Sequence, residues 1–343
     1  YVASGENLDA TVQIAEGLTT SSAGKYFGEI EFDESNNGQG GMKDGSLTKP
    51  GNTPTNPPAG DDDQDDNEQG GNEGGNQGGT TTPEQPEQKP VVVEEIKGAI
   101  TGDSLTDTTD ENPYKDLIGK DDKGNDVIDF GKLDKEDSKV DIVKIEAQET
   151  EGGKNSVIAA APSKPVIIDV AGKDLAVNSS ATSEALGIQA IGGDVTIKDA
   201  GYVTITADAG VTGSASAIYA KGGENKANVT IENSDTVKLI AKGNANDAVL
   251  HADTNSNVNI KGKVEITDTN GKVAVEVAKD STVALGGGVI GDKDTVAIAV
   301  KDGGSITINK EGGQSVVING KIVLGNPQGK MMMMKAAPKA IVV

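Results

Sequence analysis

From about Ser156 to Leu324, aliphatic residues recur as pairs separated by one position, and the triplets so formed return in the same three-part order every 23–34 residues. The first series reads Ile158-Ala-Ala160, Ile188-Gln-Ala190, Ile218-Tyr-Ala220, Leu250-His-Ala252, Val275-Glu-Val277 and Ile298-Ala-Val300. The second reads Val166-Ile-Ile168, Val195-Thr-Ile197, Val229-Thr-Ile231, Val258-Asn-Ile260, Val283-Ala-Leu285 and Ile306-Thr-Ile308. The third reads Leu175-Ala-Val177, Val203-Thr-Ile205, Val237-Lys-Leu239 and Val264-Glu-Ile266, blurs at Val289 and recovers at Val316-Val-Ile318. A period of two sends successive side chains to opposite faces of a strand, so each triplet buries two residues and shows one.

Gly, Asn and Asp punctuate the gaps, as in Gly192-Gly193-Asp194 and Asn233-Ser234-Asp235. These residues tolerate the left-handed backbone that sharp corners need. Three short strands and three corners make one coil, and a coil alone cannot bury its inner face. The pattern therefore predicts an all-β fold over residues 151–325: a single-stranded parallel β-helix, or solenoid, with three short strands per coil. Six coils at about 4.8 Å per stacked strand would make a rod roughly 29 Å long.

The V-x-I triplets, the small residue at Ala160, Ala190, Ala220 and Ala252, and the Gly/Asn/Asp corners resemble the right-handed parallel β-helix of pectin-lyase-like proteins. Among these the chain is most similar to the passenger regions of bacterial autotransporter surface proteins and adhesins. The resemblance covers about half the chain. It implies an extracellular or cell-surface structural or adhesive module that binds or presents through its faces without catalysis, with host or cell-surface glycans or proteins as partners. The alternative it leaves open is a polysaccharide-active enzyme or tailspike-like depolymerase, because one fold hosts many functions.

Upstream the pattern changes. Residues 1–35 carry strand-like pieces at Thr11-Val-Gln-Ile14 and Ile30-Glu-Phe32, and hold Tyr1, Tyr26, Phe27 and Phe32. In residues 36–90, Gly, Pro, Asn, Gln and acids displace nearly every apolar residue, which predicts a disordered, charge-extended linker. Clustered oxygens such as Asp61-Asp-Asp63 suit hard cations, but without a defined loop geometry a solvated linker is the adopted reading. Residues 91–150 regain aliphatic runs, including Val140-Asp-Ile142-Val-Lys-Ile145, and are expected to form a cap or degenerate first coils. The tail 326–343, with Met331–Met334, follows no repeat logic.

Composition narrows the chemistry. With no Cys there is neither a disulfide, a thiolate zinc site nor a Cys nucleophile. All 31 basic residues are Lys, and aromatics are 2% of the chain, which suits a narrow aliphatic interior. The net charge of −23 argues against nucleic acid and against adsorption to anionic membranes. No apolar run approaches the ~20 residues of a membrane-spanning helix, so no membrane insertion by this chain itself is expected. If the resemblance holds, the translocating part lies outside this sequence.

Three constellations invite a site and none is assigned one. Asp121-Asp-Lys-Gly-Asn-Asp126 resembles a calcium loop, yet Lys123 or Gly124 falls at the third ligand position, which favours a surface turn. His251, the only histidine, aligns with Gln189, Tyr219 and Glu276 at an outward position and is expected to face solvent. Pectin-lyase-like enzymes use clustered outward Asp residues, whereas the outward positions here are Thr196, Thr204, Thr230, Lys238, Asn259, Glu265 and Thr307. No catalytic, cofactor-binding or metal-ligating residue is assigned, and no cofactor is expected.

Overall fold

A computed structural model describes residues 12–13, 91–147, 149, 152–244, 247–267, 269, 272–293, 295–301, 303–308, 315–325 and 340–342. The 36–90 linker, most of the 1–35 segment and Met331–Met334 lie outside the described residues. Regular structure here is strand, with three short 3-10 turns at Asp103–Leu105, Lys115–Leu117 and Phe130–Leu133.

The first triplet series forms one eight-stranded parallel sheet. Its strands run, in order, Ile100–Thr101, Lys154–Ala160, Glu184–Ile191, Ser214–Lys221, Ala248–Asp253, Val273–Val277, Val296–Val300 and Lys321–Leu324. Ile158, Ile188, Ile218, Leu250, Val275 and Ile298 lie opposite one another from strand to strand, which is the register the repeats predict. The second series stacks through Val166–Asp169, Asp194–Lys198 and Ala227–Glu232, and the third through Ile142–Glu146, Asp174–Ser180, Tyr202–Asp208 and Thr236–Lys242. Parallel pairing between successive members of each series is compatible with a β-helix.

The pattern of three strands per coil is not kept throughout. Ser256–Ile266 and Thr282–Ile290 each run unbroken through the second and third series, joining both into one sixteen-stranded sheet. Corner length explains the change. Val229 and Val237 stand eight positions apart with Asn233 at φ 55° between them, whereas Val258 and Val264 stand six apart across Lys261-Gly262-Lys263. Too short for a left-handed corner, that segment stays in the ladder with a register shift between Ile260 and Lys263. The blurred triplet is resolved in the same way: Gly288-Val289-Ile290 sits opposite Val264-Glu265-Ile266, with Gly288 in an inward place.

The triplets bury their flanking aliphatics as expected, Val195, Ile197, Val229, Ile231, Val258 and Ile260 among them. Each such side chain contributes roughly 1.5–3 kcal/mol by leaving water. One middle position departs from the expectation, since Ala299 is fully buried.

Residues 91–147 start all three stacks. Ile100–Thr101 pairs with Lys154–Ala160, Asp126–Asp129 with Val166–Asp169, and Ile142–Glu146 with Asp174–Ser180. Ile118–Lys120 then runs antiparallel to Asp126–Asp129 and ends the parallel order of the second stack. Tyr114 and Phe130, both fully buried, fill this end of the interior, and the Tyr114 hydroxyl donates to the Gly98 carbonyl at 2.6 Å. Burial pushes its pKa far above the usual phenol range.

Between the second and third series, Ala171, Asp199 and Asn233 occupy equivalent corners with φ of 54°, 56° and 55°. Left-handed backbone suits Asp and Asn and strains Ala. Asn233 also donates from Nδ2 to Asp199 Oδ1 at 2.8 Å. Ala171→Asn is therefore expected to raise the unfolding free energy by about 0.5–1 kcal/mol, read as a higher urea midpoint at unchanged slope.

Candidate functional site

Among the described residues, a connected group of polar side chains lies on the outer face of the eight-stranded sheet, and a bend in its strands builds it. Ser156 sits opposite Leu186, yet its hydroxyl donates to Gln189 Oε1 at 3.1 Å. In a straight strand, positions 186 and 189 face opposite sides, so the strand turns between them. Gly187 is at that turn. A Cβ there would lie 2.2 Å from Ile205 Cγ2 and 2.7 Å from the Ala217 carbonyl oxygen, so only glycine lets these coils approach.

Beyond the bend one outward column runs Gln189, Tyr219, His251, Glu276. The Tyr219 and His251 rings meet edge to face with centroids 5.3 Å apart. His251 Nε2 lies 3.2 Å from Glu276 Oε1, and Lys301 Nζ reaches Glu276 Oε2 at 2.7 Å. Alongside, Asp253 takes the Tyr219 hydroxyl at 3.3 Å and Lys221 Nζ at 3.0 Å. The expectation of a solvent-facing His251 is thus corrected in part. It occupies the predicted outward position, but its side chain is only 25% exposed and is held between two neighbouring coils.

Burial acts to raise the Glu276 pKa, but hydrogen bonds from His251 and Lys301 outweigh it and hold the carboxyl below its ordinary range. Asp253 shows the same balance, with burial opposed by Lys221 and Thr254, and is also lowered. Burial, then the Asp253 charge, raises Tyr219, while the hydrogen bond to Asp253 raises Lys221. A carboxylate with a depressed folded pKa stabilises the fold above its unfolded value, about 4.3 for Glu, and loses that contribution as pH falls through the folded value. Glu276→Gln is therefore expected to flatten the acid limb of stability below about pH 4.5. Urea midpoints from pH 3 to 7 check this, and an acid limb as steep as the wild type's would count against it.

The other faces carry ladders of the same kind. On the second stack Lys198 pairs with Asp169 at 3.0 Å and Lys261 with Glu232 at 3.1 Å. Asn228 Nδ2 donates to Asp194 Oδ1, and Thr282 Oγ1 to Asn257 Oδ1, each at 2.6 Å. Of the outward positions named from the sequence, Thr196, Thr230, Asn259 and Thr307 share one column, completed by Ala284, while Thr204, Lys238 and Glu265 share another. A shallow groove at a corner between the first and second series is lined by Ser163, Pro165, Gly193, Asp194, Lys226 and Asn228.

Asp121 begins a hairpin turn between Ile118–Lys120 and Asp126–Asp129. Its carboxylate accepts from the Lys123 and Asn125 backbone N–H groups at 2.9 and 2.8 Å and from Asn125 Nδ2 at 3.0 Å. Those bonds turn it onto its own loop. Among the described residues no group of three or more His, Asp or Glu side chains is placed to hold a metal ion, and no helix is long and apolar enough to cross a membrane. No protein-family model matches this chain, and neither a curated protein nor a solved structure matches it.

Proposed function

We propose that this chain is an extracellular structural or adhesive module of a bacterial cell surface, a right-handed parallel β-helix that presents its faces to host or cell-surface glycans or proteins without catalysis. The observation that supports this reading best is the way outward polar groups are spent. His251, Glu276 and Lys301 bond from one coil to the next, as do Asp169 with Lys198 and Glu232 with Lys261. Groups tied to neighbouring coils stiffen a stack and present a fixed pattern of donors and acceptors. A hydrolase would instead need a carboxylate poised for proton transfer, with a raised pKa. Glu276, the column's one carboxylate, is held in the opposite sense.

The test uses the full chain in two assays. On arrays of glycans and extracellular-matrix proteins, saturable binding of one ligand class is expected. Incubation with acidic and neutral polysaccharides is expected to release no new reducing ends or unsaturated products. Product release would transfer the fold to the polysaccharide-active alternative, and exclusive recovery from the cytoplasm of the native host would end the surface reading.

A further inference from the structure

Of the strand-like piece at residues 11–14, Val12–Gln13 is described and finds a partner at the far end of the stack. Val12–Gln13 pairs in parallel with Ala340–Val342, with Val12 opposite Ile341 and Gln13 opposite Val342. Ala340–Val342 in turn pairs in parallel with Ser305–Ile308, the last strand of the second series. The two final positions of the second stack are thus filled from opposite ends of the chain.

We propose that the strand Val12–Gln13 is a built-in edge cap, which covers the C-terminal edge of the second stack in the same molecule and keeps copies of the chain from joining there. A parallel stack ends in a row of unpaired N–H and C=O groups, and such an edge is a template for another chain. At the N-terminal end of this stack the antiparallel strand Ile118–Lys120 interrupts the parallel order. At the other end Val12–Gln13 pairs in parallel and is the last strand, with none pairing beyond it among the described residues. A short cap leaves only a two-residue edge, whereas without it Ala340–Val342 would offer three residues.

Chain length permits the return. Val91, near the start of the stacks, is separated from Gln13 by residues 14–90, a contour of up to roughly 250 Å. The nine stacked strands from Asp126–Asp129 to Val12–Gln13 span only about 38 Å. Because cap and seat belong to one chain, capping within a molecule competes favourably with capping between molecules at ordinary concentrations. The charge of −23 opposes association at long range, but it does not satisfy backbone groups at an edge.

The absence of Cys makes the test clean, since any disulfide must be the introduced one. In the full chain, Val12→Cys with Ile341→Cys puts two cysteines at partner positions of the ladder, with Cα atoms at a strand spacing a disulfide accepts. Mild oxidation is expected to give a monomer with the internal bond, detected as a loss of two hydrogens by intact mass. Val12→Cys with Val323→Cys, on the edge strand of the other sheet, is expected to stay reduced. A second variant, Val12→Pro with Gln13→Pro, removes both backbone donors and is expected to raise self-association several-fold in sedimentation velocity. Disulfides only between chains would overturn capping within the molecule. No disulfide, or equal oxidation of the Val323 pair, would overturn the pairing, and a proline variant as monomeric as the wild type would overturn the protective role.

Discussion

Ile218→Asp is expected to cost more than about 4 kcal/mol and to unfold the central coils, while Tyr219→Phe, one position along, costs about 1 kcal/mol. Ile218 is fully buried and lies between Ile188 and Leu250 in the ladder of the eight-stranded sheet. A carboxylate there has no cation or N–H to meet it, because the ladder's backbone donors are already used. Either the charge is buried unpaired, or the group is neutralised at the expense of a raised pKa; both cost several kcal/mol. The neighbouring ring lies on the outer face, where removing its hydroxyl loses one hydrogen bond to Asp253. Urea unfolding of both variants reads the difference. Equal losses would mean that the faces are exchanged by a one-residue slip.

The register behind that contrast was legible because solenoid strands are short and their neighbours are the next repeats. Once Ile158, Ile188 and Ile218 are aligned as sequence, they are aligned as a sheet. What stayed hidden was the fate of corners. Lys261-Gly262-Lys263 has the glycine of a turn, and only its shortness against the corner around Asn233 betrays that the strand runs on. Gly288 was hidden for a related reason: an inward place taken by a residue without a side chain leaves no aliphatic signal. In residues 91–147, Ile142–Glu146 was visible by alternation, but Tyr114 and Phe130 stand alone in sequence and join the core only when the chain folds.

The polar column shows a signal that was present and unread. The alignment that placed His251 outward also placed Tyr219 and Glu276 on its two neighbouring coils, and in a parallel stack aligned outward positions become adjacent side chains. The His251–Glu276 contact therefore follows from the alignment of the repeats. Lys301 and Asp253 were harder to find. Each lies outside the triplets, and its reach to the column depends on long side chains that periodicity does not place.

Long side chains also set the second large effect, at a corner before the strand Val273–Val277. Lys272 is fully buried; its ammonium donates to the Asn244 carbonyl and stands 3.5 Å from Asp247 Oδ2. The same carboxylate oxygen accepts from the Ala215 backbone N–H at 3.3 Å, so the pair joins three successive coils. Burial lowers the Lys272 pKa, and Asp247 acts against that shift. Asp247→Asn keeps an acceptor for Ala215 but removes the countercharge, and it is expected to cost about 2–3 kcal/mol at pH 7 because a buried ammonium loses its partner. Lys272→Met removes the cation and most of the desolvation cost with it, so it is expected to stay within about 1 kcal/mol of the wild type. The pH dependence has a definite sign. With the folded pKa below the unfolded value of about 10.4, the unfolded chain binds more protons between the two, and this site's contribution to stability rises with pH there. The deficit of Asp247→Asn relative to the wild type should therefore shrink from pH 7 to 10, as the unpaired amine gives up its proton, while Lys272→Met has no such group to titrate. Urea titrations at four pH values decide it: a deficit constant with pH, or a Lys272→Met variant as damaged as Asp247→Asn, would show that packing at this corner, and not the buried charge, sets its stability.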